Sequence, residues 1–227
     1  MLVDIEGTAG SIAFVKEVLF PYSRRAFARF VAERGAEPEV KALLAAAREL
    51  AGDPGLSDPA LVAQLERWVD EDRKVTPLKG LQGLIWQEGF RRGDFRAHVY
   101  PDVPGALRAW AARGLRLFVF SSGSVRAQRL YFAHTEAGDL APLFEGHFDT
   151  TTGPKGEPAS YAAIASAIGL PPGRVVFLSD SRAELDAARS AGMGTVGLAR
   201  EGRPDLGDHP VARDFSSLPF VRAEGAS

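Results

Sequence analysis

The chain of 227 residues contains no cysteine. Disulfides and thiolate metal sites are thereby excluded, and the composition suits a reducing compartment. Positive charge is not in excess either: 27 Lys and Arg against 29 Asp and Glu give a formal net charge of −2, without the basic surface a nucleic-acid binder needs. No apolar run approaches the length of a membrane span, and Met1-Leu2-Val3 is followed at once by Asp4, so neither a transmembrane helix nor a signal peptide's hydrophobic region is expected. The four histidines, His98, His134, His147 and His209, show no pairing at ligand spacing, and a zinc site is not expected. What remains is a cytoplasmic protein whose partner is a small molecule, with no nucleic acid and no membrane involved.

Hydrophobic content of 45% and charged content of 25% are ordinary for a globular chain of this length, which has room for one domain and a substantial insertion. From Phe14 to about Arg92 the apolar residues Val15, Val18, Leu19, Tyr22, Phe27, Phe30 and Val31 recur at three- and four-residue steps along one helical face. Breaks at Gly35 to Pro38, Gly52 to Gly55 and Thr76-Pro77 divide the stretch into about four helices. From about Tyr100 short β-rich runs alternate with helices: Leu115 to Phe120, Val175 to Leu178, Met193 to Leu198 and Val211 to Phe215. That alternation predicts an α/β fold with a Rossmann-like parallel sheet. The expected division is a core of residues 1–12 and 99–222, an inserted helical cap over 13–98 and a disordered tail at 223–227.

The chemistry-bearing residues fall at strand ends, where open α/β sheets bind their ligands. The first run ends in Asp4-Ile5-Glu6-Gly7-Thr8, two carboxylates followed by a Gly and a Thr. Such a pattern can aim a carboxylate at phosphorus, and a hard divalent cation would then be needed to screen the repulsion. The second run ends in Ser121-Ser122-Gly123-Ser124, a helix cap or a set of donors for phosphate oxygens. Lys155 lies in a loop before a helix and could offset negative charge. The run Val175 to Leu178 closes on Ser179-Asp180, with Glu184 and Asp186 on the next helix. Those acids are either first-turn residues favoured by the helix dipole or a metal ligand with a supporting group.

Strand-end Asp, strand-end Ser, loop Lys and strand-end Asp in this order are the four signature elements of the haloacid dehalogenase (HAD) superfamily, which the chain resembles. Most phosphatases of that superfamily carry a second Asp where this chain has Glu6. The DIEGT form is similar to the enolase-phosphatase family of methionine salvage, as are IAFVKEVLFPY (12–22), LKGLQGLIW (78–86), FSSGSV (120–125), GHFDT (146–150) and KGEPASY (155–161). The resemblance implies Asp4 as the nucleophile forming an aspartyl-phosphate, Glu6 as acid/base, and Asp4, Glu6 and Asp180 as the Mg2+ site. It further implies Ser121, Ser122 and Lys155 on the phosphate, Glu184 supporting the metal site, and Lys79, Gln82 and Trp86 toward the methylthio end of the substrate. The base for enolisation is left open between Glu6 and a cap residue. One departure is that only Met1-Leu2-Val3 precede Asp4, a shorter strand than the family pattern. A monomer is expected, since no exposed heptad is present. The competing expectation is a HAD phosphatase acting on another small phosphate ester.

Overall fold

The computed structural model describes residues 1–200, 202 and 204–218; the tail expected at 223–227 and the last residues assigned to the core lie outside them. The chain divides into two compact units, one of Met1–Ile12 with the described residues from Arg96 onward, the other Ala13–Phe95.

The first unit is built on a six-stranded parallel sheet: β1 (Leu2–Val3), β2 (Phe118–Phe120), β3 (Gly146–Phe148), β4 (Val176–Ser179), β5 (Gly194–Leu198) and β6 (Val211–Ala212), in the order β3-β2-β1-β4-β5-β6. The two residues of β1 are fully buried and pair on both sides, Val3 with Val119 of β2 and with Leu178 of β4. A two-residue strand suffices because it is central: its neighbours supply the hydrogen bonds and the Leu2 side chain joins a core of Phe120, Tyr161, Ile164, Phe177 and Leu185. The order reverses at β1 and β4, which puts the switch point between their carboxyl ends.

The second unit holds four α-helices, Phe20–Arg34, Pro38–Ala51, Asp58–Asp70 and Thr76–Arg92, the last three each with Pro in the first turn, where its missing N–H costs nothing. A π-helical stretch, Phe14–Leu19, leads into the first. With bonds to the fifth residue instead of the fourth, Phe14 and Leu19 both point inward while Val15 and Val18 are only half-buried, which departs from the expected three-four rhythm. Phe27, Val40, Leu44, Leu61, Leu65 and Trp68 form the centre of this unit. Among the described residues no helix is long and apolar enough to cross a membrane.

Two helical glycines give a local test of packing. A Cβ on Gly89 would lie 2.5 Å from Phe95 Cε1 and 2.9 Å from Tyr22 Cζ, inside an aromatic cluster in which Tyr22 and Phe90 meet Phe95 edge-to-face at 4.8 and 4.6 Å between centroids. On Gly80 it would meet only the tip of Leu43, which can turn away. Gly89→Ala is expected to lower the unfolding free energy by about 1–3 kcal/mol. Gly80→Ala should stay within about 1 kcal/mol of the parent chain, because helix propensity offsets the small displacement. Urea unfolding of both variants distinguishes them, and equal stabilities would mean that the aromatic cluster is loosely packed.

Candidate active site

Beyond Val3 the chain leaves the sheet in a tight loop. The Asp4 N–H still bonds to the Leu178 carbonyl at 3.0 Å, and then the Ile5 carbonyl collects the N–H groups of Thr8, Ala9 and Gly10. Gly7 has φ +70°, and a Cβ there would stand 2.0 Å from Asp180 Oδ2. Glycine is thus required twice, for the left-handed turn and for the approach of the Asp180 carboxylate to the loop. Glu6 lies in this loop, half-buried, bridged to Gly10, and its charge contributes to raising the pKa of the Tyr131 phenol after the larger effect of burial.

Lys155 is 9% exposed and its Nζ lies 2.7 Å from Asp4 Oδ1 and 2.7 Å from Glu184 Oε2. Its loop is fixed by the helix Pro158–Ile168: Ser160 Oγ donates to the Pro154 carbonyl and Tyr161 Oη to the Lys155 carbonyl, each at 2.7 Å. These bonds give a physical reason for the KGEPASY run, since Tyr161 is also wedged edge-on between Phe120 and Phe177. Burial by itself would push the ammonium down, but the charges of Asp4 and then Glu184 outweigh it and hold the pKa above that of an ordinary lysine. Glu184, which also accepts from Ser179 Oγ at 3.0 Å, is pushed up to about 7 by burial and then by Asp4. Glu184 is thus tied to both Lys155 and Ser179.

Asp180 is pushed up to about 6, first by burial and then by the Asp4 charge. Asp4, Asp180 and Glu184 therefore crowd one ammonium with three carboxylates at the switch point. Among the described residues no cluster of three His, Asp or Glu side chains is arranged to hold a metal. A strand-end Asp180 whose proton affinity the Asp4 charge helps to raise, beside the loop that carries Asp4, nevertheless suits Mg2+, which is commonly held by one or two carboxylates and keeps several waters.

Ser121 is buried and Ser122 half-buried after β2, while the helix cap is Ser124, whose hydroxyl accepts the Ala127 N–H at 3.3 Å. The capping reading thus applies to the third serine and leaves the first two at the strand end. Two residues that the sequence reading did not single out hold this turn. Gln128 directs its amide nitrogen at the carbonyls of Ser121, Gly123 and Phe148, and Asp149 accepts from Val125 N–H and Thr151 N–H, both at 2.9 Å. Gln128 is in helical phase with buried Tyr131 and Phe132, a signal that could have revealed it. Gln82 and Trp86 bond inside the helical unit, Gln82 Nε2 to Ser23 Oγ at 3.3 Å and Trp86 Nε1 to the Leu19 carbonyl at 2.9 Å, with the Trp86 ring parallel to Phe20. Asp186 faces away, paired with His209, which also bonds Thr195.

A central strand ending in a buried Asp–Lys pair, opposed across the switch point by a second strand-end Asp, defines a HAD-type hydrolase, and the haloacid dehalogenase-like hydrolase model matches residues 1–192. Enolase-phosphatase E1 of Methylococcus capsulatus is 56% identical over 218 residues, 96% of each chain, and that of Pseudomonas aeruginosa strain UCBPP-PA14 is 55% identical over 218 residues with the same coverage. The crystal structure of the UTR4 protein of Saccharomyces cerevisiae aligns with a TM-score of 0.79 at 35% identity, covering 96% of this chain and 98% of that one. The chain belongs to the enolase-phosphatase E1 family.

Proposed function

We propose that this chain converts 2,3-diketo-5-methylthiopentyl-1-phosphate, by enolisation and then hydrolysis of the phosphate ester, to the acireductone 1,2-dihydroxy-3-keto-5-methylthiopentene in methionine salvage. The observation that carries the reading is the buried ammonium of Lys155, 2.7 Å from Asp4 Oδ1 at the end of the central strand. One oxygen of Asp4 is thereby fixed, and the other is the attacking atom. In the first half-reaction an Asp4 oxygen bonds to phosphorus, the bond from phosphorus to the enol oxygen breaks, and that oxygen takes a proton from Glu6. In the second, water gives a proton to Glu6 and attacks phosphorus, the aspartyl bond breaks, and inorganic phosphate leaves. Ser121 and Ser122 hold the phosphate and Lys155 offsets its charge. Glu184 keeps Lys155 in place, and through it supports the metal site. The carboxylates of Asp4 and Asp180 with the Glu6 carbonyl are the Mg2+ ligands. Mg2+ when bound screens the phosphate from Asp4 and polarises the carbonyl whose neighbouring carbon is deprotonated. The helical unit Ala13–Phe95 acts as the cap. The catalytic, phosphate-binding and metal-binding residues all belong to one compact unit of one chain, so the site needs no second copy, in keeping with a monomeric enzyme, and the cysteine-free composition fits the cytoplasm.

The test follows ultraviolet absorbance of the enol and release of phosphate together, without oxygen, with and without Mg2+. Both signals are expected, and both are expected to vanish when a chelator removes the metal. Phosphate released only from other esters would sink the substrate assignment and leave a general phosphatase; release that survives chelation would sink the metal-assisted mechanism.

A further inference from the structure

Thr8 lies fully buried in the nucleophile loop, and its carbonyl is met by a side chain from far along the chain. The Ile5 carbonyl takes three loop N–H groups, the Gly10 carbonyl takes the Gly7 N–H, and the Ala9 carbonyl takes the Tyr100 N–H. Thr8 is reached from the far end of the chain by Arg200, whose Nε–H donates to its carbonyl at 2.9 Å. The same guanidinium donates through Nη1 to Asp102 Oδ1 at 2.7 Å, and Asp102 Oδ2 in turn accepts the Phe215 N–H at 2.8 Å. The rings of Tyr100 and Phe215 flank it at 4.4 and 4.9 Å, and its side chain is 5% exposed. Burying a guanidinium so completely is costly unless charge and hydrogen bonds compensate; here Asp102 supplies the charge and the Nε bond reaches the loop that carries Asp4 and Glu6, while the buried Nη2 makes no hydrogen bond.

We propose that Arg200 is a positioning residue, which through Thr8 holds the nucleophile loop so that Glu6 protonates the leaving oxygen as its bond to phosphorus breaks. The role in proton delivery rests on the function proposed above; the role in holding the loop does not. Arg200→Met should therefore impair esters in proportion to how much their leaving group needs a proton. Its turnover number on the diketo phosphate, or on propyl phosphate as a second poor leaving group, is expected to fall by about ten- to a hundredfold. On p-nitrophenyl phosphate, whose leaving group departs without a proton, the change should stay within about threefold, with KM little altered on either. Arg200→Lys keeps the charge beside Asp102 but cannot span Asp102 and Thr8 together, so it should show the same leaving-group pattern.

Amide hydrogen exchange gives a readout independent of activity: the N–H groups of Gly7 to Gly10 should lose about tenfold or more of their protection in Arg200→Met, while those of β4 keep theirs. Unchanged exchange in the loop overturns the positioning role whatever the substrate proves to be. Equal losses on both ester types that recover on cooling overturn the link to Glu6 and leave a merely structural arginine. Failure of the wild type on the diketo phosphate but not on propyl phosphate sinks the substrate assignment and leaves Arg200 to be judged on the second ester.

Discussion

Asp4→Asn is expected to lower phosphate release by about four orders of magnitude or more while the chain still folds. An amide supplies no oxygen able to form a stable bond to phosphorus, yet its carbonyl can still accept from Lys155, so the geometry around Nζ persists. The electrostatic consequence for stability is small and partly favourable. After burial, the charge of Asp4 is the next cause of the raised pKa values of both Asp180 and Glu184, and a neutral side chain removes that repulsion. A colorimetric phosphate assay and a thermal melt made on the same preparation separate the possibilities. Activity within about tenfold of wild type would sink the aspartyl-phosphate mechanism. Loss of cooperative unfolding would instead mark Asp4 as a structural residue.

The α/β class, the helical insertion and five of the six strands were legible because each rests on a pattern that local chemistry enforces. Apolar runs such as Val175 to Leu178 are buried on both faces, and Pro at the first helical turn marks three of the helix starts in the insertion. β3 was not legible. It is an edge strand of three residues, Gly146–Phe148, all half-buried and one of them glycine, so neither alternation nor propensity announces it. The π-helical start of the insertion was equally hidden, since five-residue spacing of Phe14 and Leu19 does not stand out among neighbouring apolar residues.

At the site, the strand-end residues could be read from order alone, but their supports could not. Gly7 as the place where Asp180 approaches and Arg200 on Thr8 are contacts across wide sequence separations that no local pattern encodes, and the bond from Tyr161 to the Lys155 carbonyl six residues back depends on how the loop folds onto its helix. Glu184 shows the same limit. From sequence it is an acid four residues after Asp180 that can support a metal site; the bonds it makes to Ser179 and to Lys155, the ion-pair partner of Asp4, are visible only in the fold.

Lys155→Met carries the second large effect, and it falls on stability as well as rate. The side chains of Lys155 and Asp4 are 8% and 6% exposed, so solvent screens the pair little, and removing the ammonium strands the buried Asp4 carboxylate and the partly buried Glu184 carboxylate. Breaking a buried pair from one side costs about 3–5 kcal/mol. Loss of charge compensation on the phosphate should also lower turnover by about 10²- to 10³-fold. The pH dependence has a definite sign. Glu184, already raised from 4.5 to about 7 with Lys155 present, rises further without it. A carboxyl whose folded pKa lies above its unfolded value makes the native state bind more protons, so stability is greatest below the unfolded pKa and is lost as pH rises through the folded one. The gap between variant and wild type should therefore be widest near pH 8 and narrow toward about pH 5. Adding Glu184→Gln to Lys155→Met should recover part of the stability at neutral pH but none of the turnover, because a neutral pair needs no ammonium whereas the phosphate still does. A single variant as stable as wild type at pH 8 would show that the buried carboxylates take up protons or admit water without cost, and that Lys155 is held there for the phosphate alone.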